Sequence, residues 1–212
     1  MNTQEQLNHL SEIRSLMERS SRCLSLSGLS GVSAGIIAII SGVCTWWYLG
    51  NGTFESPIRV TNYFLSLSIT SEPFIAVTTI AIITLVLAVA TAFFFTIRNS
   101  RKKDIKIWDA STKYFLINLL IPLVTGGFFC LILTYYGLLY LLASTTLTFY
   151  GLALLNASKY THAEIRYLGI SEILLGLVSA CFLGYGIIFW LFGFGVLHIV
   201  YGVVMYLKHE RV

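Results

Sequence analysis

Apolar residues run almost unbroken through six stretches of the chain: 24–50, 74–97, 111–134, 138–157, 167–183 and 187–207. Each is near the ~20 residues that a helix needs to cross a bilayer. The runs lack the period-two alternation and ten-residue spacing of a membrane barrel, so they predict helices and not strands. The expected fold is all-α, with six transmembrane helices in three antiparallel hairpins. Tight turns at Tyr135-Tyr136-Gly137 and Gly184-Tyr185-Gly186 join helix three to four and five to six. The longer stretch 51–72 joins one to two. Within it, Ser56-Pro57 reads as a helix start and 58–69 as a short helix at the outer surface. Ser71-Glu72-Pro73 caps the second spanning helix.

The polar amino-terminal segment has a different period. Leu7, Leu10, Ile13, Leu16 and Met17 recur at helical spacing with charges between them. That pattern predicts an amphipathic helix on the cytoplasmic face. Three regions follow: 1–23 as this surface helix, 24–207 as the membrane domain and 208–212 as a cytoplasmic tail. A polar lead of this length is unlike a secretory signal, so the first apolar run is read as a retained helix.

Composition excludes most alternatives. Hydrophobic residues make up 56% of the 212, charged residues only 11%, and the mean hydropathy is +0.78. Soluble domains carry about 25% charged residues, so neither a soluble enzyme nor a disordered chain fits. The net charge of +4 is explained by topology. With the amino terminus inside, every lysine and arginine except Arg59 falls on the cytoplasmic side. This is the positive-inside bias of a multi-pass membrane protein, with both termini cytoplasmic. The partner it implies is the lipid bilayer, with no nucleic acid. Arg101-Lys102-Lys103 is placed where anionic headgroups lie, and topology alone accounts for it.

Candidate chemistry is sparse. The first helix is rich in small residues, and Gly28, Gly31 and Gly35 form a packing stripe with a GxxxG pair. The stripe suits a neighbouring helix of the bundle, and a second copy or another membrane protein remains open. Ionisable groups inside spanning helices mark functional sites by default, and two stand out. Glu172 lies roughly 9 Å, and His198 roughly 14 Å, from the cytoplasmic ends of their helices at 1.5 Å per residue. In an antiparallel hairpin they fall about one turn apart in depth, close enough to meet directly or through water. A carboxylate and an imidazole sharing a buried site can hold or pass a proton, or ligate a cation in transit. The leading function is movement of a small solute or ion, with Tyr201 and Asn118 as polar wall. The alternatives are a satisfied structural pair and a non-catalytic subunit or sensor. A second polar set, Asp109, Lys113, Asn118 and Asn156, reads as a charge-balanced helix start or a cytoplasmic vestibule.

No enzyme is expected. Gly28-Leu29-Ser30-Gly31 matches the GxSG serine motif of rhomboid proteases. That family carries its serine on the fourth helix, and here it begins the first. Paired intramembrane aspartates and an HExxH site are missing from the sequence. His198 is the only histidine at depth, which disfavours bis-histidine haem. The lone His9 and His162 are expected at the surface without partners, and the four cysteines form no CxxC and have no nearby histidine at metal spacing. No metal or cofactor is expected. Acid-Ile-base patterns at Glu12, Asp104 and Glu164 precede the three hairpins, an echo that shared physics of helix starts explains.

The segments ERSSRCLSLSGLSG (18–31), AEIRYLGISEILLGL (163–177) and FGFGVLHIVYG (192–202) resemble a family of small bacterial six-helix inner-membrane proteins. That family has no assigned activity, so the resemblance implies a fold and a location only.

Overall fold

The structure, a computed structural model, describes residues 27–50, 70–102 and 108–211. The amphipathic segment 1–23 and the external 58–69 helix expected above lie outside the described residues. The described chain is all-α. Its six helices are α1 (Gly28–Gly50), α2 (Glu72–Lys102), α3 (Ala110–Tyr135), α4 (Leu142–Ala157), α5 (Ala163–Cys181) and α6 (Gly186–His209). All but α5, with α4 taken together with its flanking turns as Leu139–Tyr160, are long and apolar enough to cross a membrane. The 19-residue α5 carries Glu164, Arg166 and Glu172 in its sequence and is too short to hold a long stretch without them.

Local chemistry fixes the helix ends. Asp109 caps α3, its Oδ1 accepting from Thr112 N at 2.7 Å, which satisfies one of the orphan amides of the first turn. Lys113 follows on the exposed side, so this end of α3 is a capped helix start. The α3–α4 turn passes through Gly137 at φ 72°, and the α5–α6 turn through Gly184 at φ 92°. Both angles lie in the left-handed region that glycine enters without a Cβ clash.

The packing order differs from three simple hairpins. The α1–α2 and α3–α4 pairs are present, but α5 packs chiefly on α4, and α6 packs chiefly on α1. The reason is the distribution of small residues. Gly151 of α4 and Gly169 of α5 face each other, and a Cβ on Gly169 would stand 2.8 Å from Gly151 O. Gly176 of α5 meets Thr148 and Ser144 of α4 in the same way. Gly28, Gly31 and Gly35 lie on the α6 backbone at Gly202, Tyr206, His198 and Gly195. Close backbone approach of this kind, not turn length, decides which helices lie together in a bilayer. The buried centre includes Leu147, Ala153, Leu154 and Ala157 of α4, Leu168 of α5 and Met205 of α6.

By contrast, α2 and α3 present broad apolar faces outward, including Ile82, Leu85, Val86, Phe128 and Leu131. Such a surface is costly in water and suited to lipid. Within α2 only Thr84, Asn99 and Ser100 are buried, and Thr84 Oγ1 sits 2.5 Å from Ser41 Oγ of α1.

The end of α6 closes onto the start of α1. Glu210, just past α6, accepts from Ser27 Oγ at 3.0 Å and from Gly28 N at the start of α1. A carboxylate at a helix amino terminus meets unpaired amides and the positive end of the helix dipole. Glu210→Ala is expected to cost about 1 kcal/mol, the usual value of an amino-terminal cap. Thermal unfolding in detergent reads this directly. An unchanged midpoint would mean the clasp contributes nothing.

Candidate functional site

A wholly buried carboxyl group, Glu172, sits on the α5 face turned toward α4 and α6. Its side chain has 0% exposure, and His198 of α6 has 6%. Oε1 of Glu172 stands 3.4 Å from Nδ1 of His198. Neither carboxyl oxygen finds a hydrogen-bond donor among the described residues.

The shape of α6 creates this arrangement. Leu191–Leu197 form π-type turns between the α-helical segments Gly186–Trp190 and His198–His209. Wide turns of this type leave backbone groups free for side chains and recur at functional sites. Here the Gly193 carbonyl accepts from His198 Nδ1 at 3.0 Å. Gly193 also makes room for the acid: a Cβ there would lie 2.6 Å from Glu172 Oε2 and 2.5 Å from Leu147 Cδ2.

The other imidazole nitrogen is held by a residue that the sequence did not single out. Tyr150 of α4 lies with its hydroxyl 2.8 Å from His198 Nε2. With the Nδ1 proton donated to Gly193, Nε2 is the acceptor and Tyr150 the donor. Ring contacts fix the group: Tyr150 and Phe194 have centroids 5.0 Å apart, and Phe194 lies 5.0 Å from Trp190. Tyr150, His198 and Glu172 therefore lie in a row walled by aromatic and aliphatic side chains, hydrogen-bonded at the first step and 3.4 Å apart at the second. Such a line is able to hold a proton or move it between two ends.

The proposed wall residues divide. Tyr201 of α6 has its hydroxyl 3.5 Å from Ser171 Oγ of α5, the residue before Glu172 in sequence. Asn118 belongs to a separate seam. Its side-chain amide donates to Tyr114 O at 2.8 Å, and its backbone carbonyl accepts from Asn156 Nδ2 at 3.0 Å. Back-bonding one turn along its own helix spends the side chain on α3, whose main partner is α4. Asn118 thus joins α3 to α4.

A second ionisable cluster lies at the ends of α5 and α6. His162, expected at the surface without partners, is buried and stacks on His209 with centroids 4.1 Å apart. Glu164 is also buried, with Oε1 2.6 Å from Lys208 Nζ and Oε2 3.5 Å from His209 Nε2. Burial by itself pushes the Glu164 carboxyl up. The hydrogen bond from Lys208, the backbone amide at Glu164 and the Lys208 and His209 charges outweigh it and bring the group down to about 2. The expected tail at 208–212 hid this cluster, because α6 continues to His209 and brings that ring back to the start of α5. Histidine at both positions was the available signal. The contact between the two helix ends was not.

Among the described cysteines, Cys44, Cys130 and Cys181 are free thiols. Fold and site together define a multi-pass membrane protein with buried histidine–glutamate groups. Comparison finds no match to this chain among family models, curated proteins or solved structures.

Proposed function

We propose that the chain is a bacterial inner-membrane protein of six spans, with both termini cytoplasmic, that moves a small solute or ion. Glu172 is the site at which a proton or small cation is held, and His198 is its partner. Tyr150 orients His198, and Tyr201 contributes to the polar wall. The second reading is a non-catalytic membrane subunit or sensor.

One observation carries the proposal: Glu172 is wholly enclosed and neither oxygen has a hydrogen-bond donor among the described residues. A buried carboxylate without donors is costly, and a structural ion pair is normally satisfied by surrounding hydrogen bonds. The lone pairs left over are the acceptor capacity that a proton, a cation or a water would fill. The same enclosure supports the second reading, because a packed centre also suits a protein whose task is to bind a partner. As a transporter, the chain is here in a conformation with its site closed.

Reconstitution into liposomes with an internal pH or cation indicator separates the two. Glu172→Gln keeps the shape of the side chain and removes its charge. It is expected to reduce flux at least ~10-fold, in line with loss of a proton-transfer group, while the folded protein is recovered in normal yield. Equal flux in the variant and the parent removes Glu172 as the transport site. A stoichiometric partner retained through gentle detergent purification, with no flux, establishes the subunit reading.

A further inference from the structure

We infer that His162, Glu164 and His209 form a binding site for a divalent first-row transition ion of the zinc type. It lies apart from the Glu172–His198 pair and does not depend on it. Along α5, Glu172 is about 12 Å beyond Glu164 at 1.5 Å per residue.

The donor set argues for this ion class. Two imidazoles and one carboxylate are borderline ligands that suit zinc and its neighbours, and they fit calcium and magnesium poorly. The three ligand atoms already lie within 4.8 Å of one another. Ligands on a tetrahedral zinc, each ~2.0–2.1 Å from the ion, stand roughly 3.3 Å apart. Rotation of the histidine rings supplies the remaining contraction. The backbone is well placed to allow it: His162 directly precedes α5, and His209 is in the last turn of α6. Both are therefore at helix ends, while Glu164 is anchored in the first turn of α5.

Lys208 is the competitor. Its ammonium holds Glu164 Oε1 at 2.6 Å, but its side chain is 63% exposed, free to swing into water. Oε2 faces His209 on the other side, so the carboxylate can bind an ion through that oxygen. An ion bound here would tie the start of α5 to the end of α6. These helices otherwise have other principal partners, α4 and α1. Three protein ligands leave a fourth position open to water or another donor.

The test is titration of the purified full-length protein in detergent micelles. Zn(II) binding is followed by calorimetry and Co(II) by its visible ligand-field absorption. One equivalent per chain is expected. Glu164→Gln and His209→Ala should each weaken binding at least ~10-fold, since loss of even outer-shell groups costs 10–100-fold. Lys208→Met should tighten binding, because it removes a positive charge that competes for Glu164. A mere surface ion pair would give no such gain. His9→Ala should bind as the parent does. The site is refuted if no equivalent binds, if Glu164→Gln and His209→Ala bind normally, or if His9→Ala alone abolishes binding. Should His209→Ala fail to fold, Glu164→Gln and Lys208→Met decide the matter, since one is isosteric and the other lies at an exposed side chain.

Discussion

Gly202→Leu is expected to prevent assembly of the bundle, with a loss of folded protein greater than that of any other single change considered for this chain. A Cβ at Gly202 would stand 2.6 Å from Val32 N, 2.7 Å from Gly28 O and 3.0 Å from Gly31 C. All three are backbone atoms of α1, so no side chain can turn aside to accommodate the addition. Relief requires α1 and α6 to separate along their whole contact, which includes Gly31 and Gly35 on one side and Gly195 and His198 on the other. Overpacking a core side chain typically costs 1–3 kcal/mol. Four added carbons wedged between two backbones should exceed ~3 kcal/mol by the same reasoning. Membrane helices have no hydrophobic force between them to restore the contact, since lipid tails are as apolar as leucine. Gly127→Leu is the control, because a Cβ at Gly127 meets nothing within 4 Å. Size-exclusion profile and thermal midpoint in detergent should collapse for Gly202→Leu and stay near the parent for Gly127→Leu. Equal behaviour of the two would mean that the glycine contact is not what joins the helices.

The same contact marks the boundary of what the amino-acid pattern reveals. Six apolar runs and two glycine-containing turns are enough to predict helices and their order, because helix formation in a bilayer depends on local properties. Every backbone amide must be satisfied within its own segment there. Depth is also local, since a fixed rise per residue puts Glu172 and His198 within about one turn of each other. Which helices touch is a global property, and short turns are a weak guide to it. Gly28, Gly31 and Gly35 are visible as a stripe, but the stripe does not say that Gly195 and Gly202 lie opposite it. Tyr150 had no distinguishing neighbour in sequence, and only the meeting of α4 with α6 turns its hydroxyl toward His198. His162 and His209 are separated by nearly all of α5 and α6 and join only because those helices run back to a common end. The π-type turn at Leu191–Leu197 is the least legible feature, since two glycines in an apolar helix fit a regular helix equally well.

That turn gives the sharpest test of the Glu172–His198 pair, through Gly193→Ala. Alanine favours helix over glycine by about 1 kcal/mol, so local propensity alone predicts a neutral or stabilising change. The structure predicts the opposite at the site. The new methyl would lie 2.6 Å from Glu172 Oε2, 2.5 Å from Leu147 Cδ2 and 3.1 Å from Leu175 Cδ2. Two of these are ends of flexible side chains and can yield by rotating. The third belongs to the carboxyl group itself, whose other oxygen stands 3.4 Å from His198 Nδ1, so any shift of the group changes the geometry of the pair. Because the Gly193 carbonyl also accepts from His198 Nδ1, any shift of that residue disturbs both members of the pair. Displacing a reacting group by 1 Å can cost ~100-fold in rate, so flux through a Glu172-dependent path should fall by a factor approaching ~100. The bundle itself should persist, because α6 keeps its α1 contact at Gly195 and Gly202. Nitrogen NMR of His198 supplies a reading independent of transport. The Nδ1 resonance should shift in Gly193→Ala and in Glu172→Gln, and Tyr150→Phe should shift Nε2 instead. If Gly193→Ala leaves both the resonance and the flux of the parent unchanged, the carboxyl is not seated against Gly193, and the arrangement of the site must be redrawn.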